Sequence, residues 1–284
     1  MMTKPQWITA GLALLLTIGI YAATQKQLFG PPGVRKPSAE MAANAAAPLS
    51  IDTILFHARQ SLTPDQATRL NALEHSISRG DVKEQQLHVY HQLAQFWADT
   101  ANLFPPYAWY TAEAARLENS EKSLTFAAHL LLNSLTRDAA PEIKQWEALQ
   151  AKDLFERSLK LNPANDSSKV GLGSVYLYGG IATPMEGIGM IRAVADRDSN
   201  NVYAQWALGQ ASISSGQLDK AAERFRKVAR LQPKNWEAIL LVAEVDEQMG
   251  NGEEAAKWYQ KVLAFDVDAD IKKEVEARIA KLRK

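Results

Sequence analysis

The sequence predicts an all-α protein built from stacked helix-turn-helix units, and three observations predict it. Two segments, Val202 to Asn235 and Trp236 to Ala269, can be written one above the other at a period of 34 residues. Elsewhere apolar residues recur at helical spacing, and no alternating apolar and polar segment offers a competing strand. Turn signals such as Thr63-Pro64, Arg79-Gly80-Asp81 and Phe104-Pro105-Pro106 separate the helical stretches.

The paired segments justify the last two units column by column. In the first, Leu208-Gly209 take the seventh and eighth places, Gly216 the fifteenth, Ala221 the twentieth, Phe225 the twenty-fourth and Pro233 the thirty-second. The second has Val242-Ala243, Gly250, Ala255 and Tyr259 in those columns, then Val267 in place of the proline. Small residues at the eighth and twentieth columns let two antiparallel helices approach closely, while Leu208, Phe225, Val242 and Tyr259 fill the space beside them. Gly216 and Gly250 can take the left-handed conformation that ends a helix. Pro233 cannot comfortably continue one, so it marks the passage to the next unit. These residues resemble the tetratricopeptide repeat family, membrane-anchored bacterial members included. The resemblance implies a solenoid wound as a right-handed superhelix.

Upstream copies are looser. Asp166 to Asn201 carries Leu172-Gly173, Tyr176, Gly180, Gly187, Ile191 and Val194, and its 36 residues predict a two-residue insertion within Ile181 to Pro184. Residues 120–165 read as a divergent unit. Ser120 to Leu135 places Phe126-Ala127 and Leu130 in its first helix, and Glu142 to Leu161 places Ala151, Phe155, Ser158 and Leu161 in its second, ahead of Pro163. Residues 51–119 are helical by pattern but not repetitive, with candidates at Asp52 to Leu62, Pro64 to Ser78, Asp81 to Thr100 and Pro106 to Glu118. Ile51, Ile54, Leu55 and Ala58 form one stripe, and Leu87, Tyr90, Leu93, Ala94 and Trp97 another. Residues 270–284 read as a capping helix, with Ile271, Val275 and Ile279 inward, since a solenoid needs a polar lid.

At the N-terminus, Trp7 to Ala23 is 17 residues without a charge, about 26 Å as a helix, flanked by Lys4 and Lys26. Residues 1–29 are accordingly expected to be a single transmembrane anchor. A cleaved signal peptide competes, because Ala22 and Ala23 are small, but Tyr21 is a poor residue three places before a cut after Ala23. Orientation is argued both ways. A short tail bearing Lys4 favours export of the chain beyond Tyr21, whereas Lys26, Arg35 and Lys36 count toward the opposite topology. Residues 30–50, with Pro31-Pro32 and an alanine-rich run, read as a tether holding a domain off the bilayer. This favours the periplasmic face of a bacterial inner membrane.

Composition narrows the function. Apolar residues at 46% and charged residues at 23% are enough for a folded core, while a formal net charge of zero gives no general reason to bind nucleic acid. Lys220, Arg224, Arg226, Lys227, Arg230 and Lys234 gather along one helix, diluted by Asp219 and Glu223, and read as a solvated face. The absence of cysteine excludes disulfides and thiol catalysis. No phosphate-cradling loop, nucleophile elbow or His-Glu-x-x-His motif is present, so no catalytic residue, cofactor or metal is expected. His88 and His91 lie at i, i+3 with Glu84 and Asp81 nearest, a pair that a metal-dependent enzyme in residues 52–118 would have to use.

What remains is the repeat surface. The resemblance implies a concave groove lined by the first helix of each pair, at Val170, Ser174, Leu177 and Tyr178, then Tyr203, Trp206, Gln210 and Ile213, then Glu237, Leu240, Glu244 and Glu247. Tyr178, Tyr203, Trp206, Gln210, Ile213, Leu240 and Glu244 are the expected binding residues, with core packing the competing role for Tyr203 and Trp206. The family's clamp for a terminal carboxylate uses Lys, Arg and Asn where this chain has Val170, Ser174, Trp206, Gln210, Leu240 and Glu244. An apolar or basic peptide is therefore the expected ligand. The expectation is a membrane-anchored scaffold or assembly factor for a cell-envelope complex, with a homo-oligomeric envelope component as the rival.

Overall fold

The computed structural model describes residues 49–77, 82–135, 137 and 140–283. The predicted anchor at 7–23 and most of the 30–50 tether lie outside them. Contacts divide the chain into residues 1–47 and 48–284, and the described helices belong to the second unit. Among the described residues no helix is long and apolar enough to cross a membrane.

Thirteen α-helices and no strand occur among the described residues. They are α1 (Ile51–Gln60), α2 (Pro64–Ile77), α3 (Lys83–Gln95), α4 (Phe104–Glu118), α5 (Glu121–Leu135), α6 (Pro141–Leu161) and α7 (Asp166–Tyr178). The series continues with α8 (Pro184–Arg197), α9 (Val202–Ser214), α10 (Leu218–Leu231), α11 (Trp236–Gln248), α12 (Gly252–Val262) and α13 (Ala269–Leu282). A π-helical turn, Phe96–Thr100, extends α3. Consecutive helices pair as hairpins α3/α4, α5/α6, α7/α8, α9/α10 and α11/α12, each packed on the next.

Caps set the register. Asn165, Asn201 and Asn235 each accept, through the side-chain oxygen, the backbone N–H three residues on, at 2.8–2.9 Å. Ser120 does the same for Ser123 at 3.1 Å. Counting from these caps brings Ala128 into the eighth column with Gly173, Gly209 and Ala243. The register read from the sequence for α5 is therefore one residue off. Ala127 and Ala128 are buried, whereas Phe126 is 62% exposed. Leu161 is also exposed, at the end of α6.

The hairpin turns depend on glycine. Gly216 and Gly250 have φ of +71° and +81°, which a side chain would strain. The close approach is tightest in α7/α8, where the eighth and twentieth columns both hold glycine. A Cβ on Gly187 would lie 2.3 Å from the Gly173 carbonyl oxygen. The α8 helix starts at Pro184, eighteen residues after α7 starts, whereas α10 starts sixteen after α9. The two extra residues fall where the sequence predicts an insertion.

Phe155, Leu154, Ala148 and Ala151 of α6 bury against α5 and α7 in one core, and Tyr259, Val262 and Ala255 of α12 bury against Val275 and Ile279 of α13 in another. The α13 helix thus closes the end of the stack. In α3 the buried face turns slightly from the predicted stripe, with Val89, Leu93, Phe96 and Trp97 inside and Leu87 left at the margin. The π-turn adds one residue to the helical register and sets Phe96 and Trp97 side by side, rings edge to face at 5.3 Å.

Candidate protein-binding groove

The first helices of three successive hairpins contribute most of one groove. It is lined by Leu132 and Asn133 of α5, Ser174 and Tyr178 of α7, and Tyr203, Trp206, Ala207, Gln210 and Ser214 of α9, with a volume of about 560 Å³. Leu135 at the end of α5 and Lys144 near the start of α6 complete it. Four expected residues, Tyr178, Tyr203, Trp206 and Gln210, therefore meet on one surface.

The aromatic side chains are fixed by their neighbours. Trp206 is half-buried, its ring edge-to-face on Phe225 at 5.6 Å. Tyr203 meets His129 at 5.4 Å, and His129 in turn meets Phe155 at 5.1 Å and Ser167 Oγ at 2.9 Å. Burial pushes the Tyr203 phenol up to about 12, with an opposing pull from the Ser174 hydroxyl. Burial likewise raises Tyr178 and lowers His129. Both phenols therefore remain protonated donors at neutral pH, and the two rings serve packing and surface at once.

The other expected residues lie elsewhere. Val170 is fully buried against Ile191, Val194 and Ala204. Ile213 packs between hairpins, on the cluster of Ala221, Phe225 and Val242, which withdraws it from the groove lining. Leu240 packs on the C-terminal core. Glu244 is half-buried beyond the groove, its carboxyl raised by burial despite the opposing charge of Arg278. Glu247 accepts from the Tyr259 hydroxyl at 2.7 Å and from Arg278 at 3.2 Å.

Lys144 is absent from the lining that the repeat pattern predicts. Its helix has 21 residues against 14 in α8 and in α10, and the excess lies at its start, because the three helices end at equivalent places. Seven residues add about 10 Å. The residue just after the extension, Ala148, lies against the end of α7, where a Cβ on Gly179 would fall 2.5 Å from its Cβ. Lys144, within the extension, thus lines the same groove as Tyr178. Pro141 at the helix start was the available signal, since proline favours a first turn.

A second hollow, of about 350 Å³, opens where α3, α4 and α5 meet, with Ala94, Ala98 and Ala114 on its wall and the exposed Phe126 at its rim. His91 lines it too. Among the described residues no three His, Cys, Asp or Glu side chains are grouped to hold a metal, and Asp81 lies outside them. The basic run on α10 is divided among local partners: Lys220 with Gln217, Arg224 with Gln205 and Arg226 with Asp246.

Comparison with known proteins agrees with the repeat reading at the C-terminal end. Residues 212–279 match the tetratricopeptide repeat family. No curated protein matches the chain in sequence. Among solved structures, MamA (residue 41 to the end) from Desulfovibrio magneticus RS-1 is 22% identical, covering 65% of this chain and 95% of its own at a TM-score of 0.43. YrrB, described as a TPR protein with an unusual peptide-binding site, is 16% identical, covering 73% and 99% at a TM-score of 0.41. The segment from the end of α9 to α13 is thus tetratricopeptide-like, by its family match and by its own column pattern.

Proposed function

We propose that the protein is a membrane-anchored adaptor that binds another protein in the groove between α5, α7 and α9. In this reading residues 7–23 hold it in a bacterial inner membrane as a single-pass anchor, and residues 30–50 tether a right-handed solenoid on the periplasmic side. Tyr178, Tyr203, Trp206 and Gln210 form the centre of the binding surface, and the other expected residues, Ile213, Leu240 and Glu244, lie outside the groove lining. Its role is a scaffold or assembly factor for a cell-envelope complex, without catalysis.

The observation that carries the reading is the convergence of Tyr178, Tyr203 and Trp206, from two different helices, on one open concavity. Aromatic rings whose inner edges are held by Phe225 and His129 lose little side-chain entropy on binding, which favours their use as anchors. The test is in-cell crosslinking from a photoreactive residue at position 210, comparing wild type with Tyr203→Ala/Trp206→Ala. Capture of one protein by wild type, lost in the folded double variant, is the expected result. An unchanged captured set would refute it. Alkaline extraction and protease accessibility in spheroplasts test the anchor and its orientation.

A further inference from the structure

We infer that the groove selects a partner segment bearing an aspartate or glutamate side chain, seated over Lys144, beside an apolar residue held by Tyr203 and Trp206. The inference rests on the binding role proposed above and specifies its ligand. It reverses the expectation of an apolar or basic peptide.

Charge and placement carry it. Of the eleven residues lining the groove, Lys144 alone is charged, and no carboxylate lines it. The remaining polar side-chain groups are two phenols, two carboxamides, two hydroxyls and one indole N–H, from Tyr178, Tyr203, Asn133, Gln210, Ser174, Ser214 and Trp206. Lys144 makes no ion pair among the described residues. The acidic group that feels it is Glu147, one turn on, which is 1% exposed and turned to the Ser134 hydroxyl at 2.8 Å. Glu147 therefore lies behind the wall and not on it. Lys144 is half-buried and shares the groove lining with aromatic and apolar side chains, where screening is weaker than on an open face. Its helical extension is the one large departure of α6 from the repeat pattern, so the cation is supplied by the irregular part of the chain. The acidic groups of the C-terminal hairpin, Glu244 and Glu247, sit outside this concavity and face Arg278.

The test uses the full-length chain in detergent and three peptide pools. All share one apolar scaffold and blocked ends, and they differ at a single position that holds Asp or Glu, Asn or Gln, or Lys or Arg. Fluorescence anisotropy is expected to rank them acidic, neutral, basic, with about tenfold between the extremes at low salt and less at high salt. Lys144→Gln should flatten the ranking and Lys144→Glu should invert it, each with an unchanged circular dichroism spectrum. Binding of all pools without preference, or an unaltered ranking in Lys144→Glu, would overturn the inference and leave the groove reading standing. Failure of every pool to bind would overturn both. Preferential binding of a fourth pool, with free C-termini and no Asp or Glu, would overturn the assignment to a side chain.

Discussion

Glu147 is a carboxyl in an apolar wall with only one oxygen satisfied: Oε1 accepts from Ser134, and Oε2 has no partner. Burial raises it to about 6 despite the Ser134 hydroxyl and Lys144. A carboxyl raised in the folded state destabilises that state when both states are ionised, above about pH 6. The penalty fades as pH falls to the unfolded value near 4.3, below which both states are protonated. Glu147→Gln keeps the acceptor for Ser134 and removes the charge, so it should stabilise the protein by about 1–2 kcal/mol at pH 7.5 and by nothing at pH 4. Urea melts at the two pH values read this directly, and an equal effect at both would contradict it. Asp246 is the opposite case. It is fully buried but receives Arg226 Nη2 at 2.5 and 2.7 Å. Arg226→Met leaves that carboxylate with Asn251 at 3.5 Å and should cost roughly 1–3 kcal/mol, discounted because the arginine is half-exposed. Neither group announced itself in the sequence, because Glu and Asp at helical surface spacing look alike until the packing of the next hairpin is known.

Within an element, two glycines of α8, one in the twentieth column and one outside it, make a sharp comparison. Gly187 faces the backbone of α7 at a distance no Cβ tolerates, whereas Gly189, two residues on, has nothing within 4 Å. Gly187→Ala must push two helices apart and should cost about 1–3 kcal/mol, more if the α7 carbonyl cannot shift. Gly189→Ala relieves the unfolded chain of glycine's freedom and should stabilise by roughly 0.5–1 kcal/mol. Thermal melts showing the same sign for both would contradict this contrast. The close-packing columns were legible because glycine and alanine at a fixed period have few other uses. The register of α5 was not, because Phe126 imitates the apolar seventh column while the decisive mark, the Ser120 cap, is a common residue with a common spacing. The groove followed the same division: Tyr178, Tyr203, Trp206 and Gln210 could be placed from the repeat, whereas Lys144 depends on a helix whose length no periodicity fixes.

At the scale of residues 48–284, each hairpin packs mainly on its chain neighbours, so stability accumulates from local units and their interfaces. The end unit is then the vulnerable one. Val275 and Ile279 of α13 cover Tyr259, Ala255 and Val262, with Ile271 and Leu282 packed at the margin. Truncation after Asp268 removes this cover and exposes the apolar face of α12 to water. Two buried aliphatic side chains correspond to a few kcal/mol, of which fraying of the new end recovers part, leaving about 2 kcal/mol at the last interface. Amide hydrogen exchange should therefore quicken about 30-fold in α11 and α12, while α5, α6 and α7 exchange as before. In a globally cooperative bundle the loss would spread evenly over every helix, so uniform acceleration from α3 to α12 would contradict nearest-neighbour stacking. A graded profile, steepest at α12 and fading toward α7, would also mean that the groove between α5, α7 and α9 keeps its shape when the far end of the stack loosens. Peptide binding by the truncated chain would then match that of the intact one.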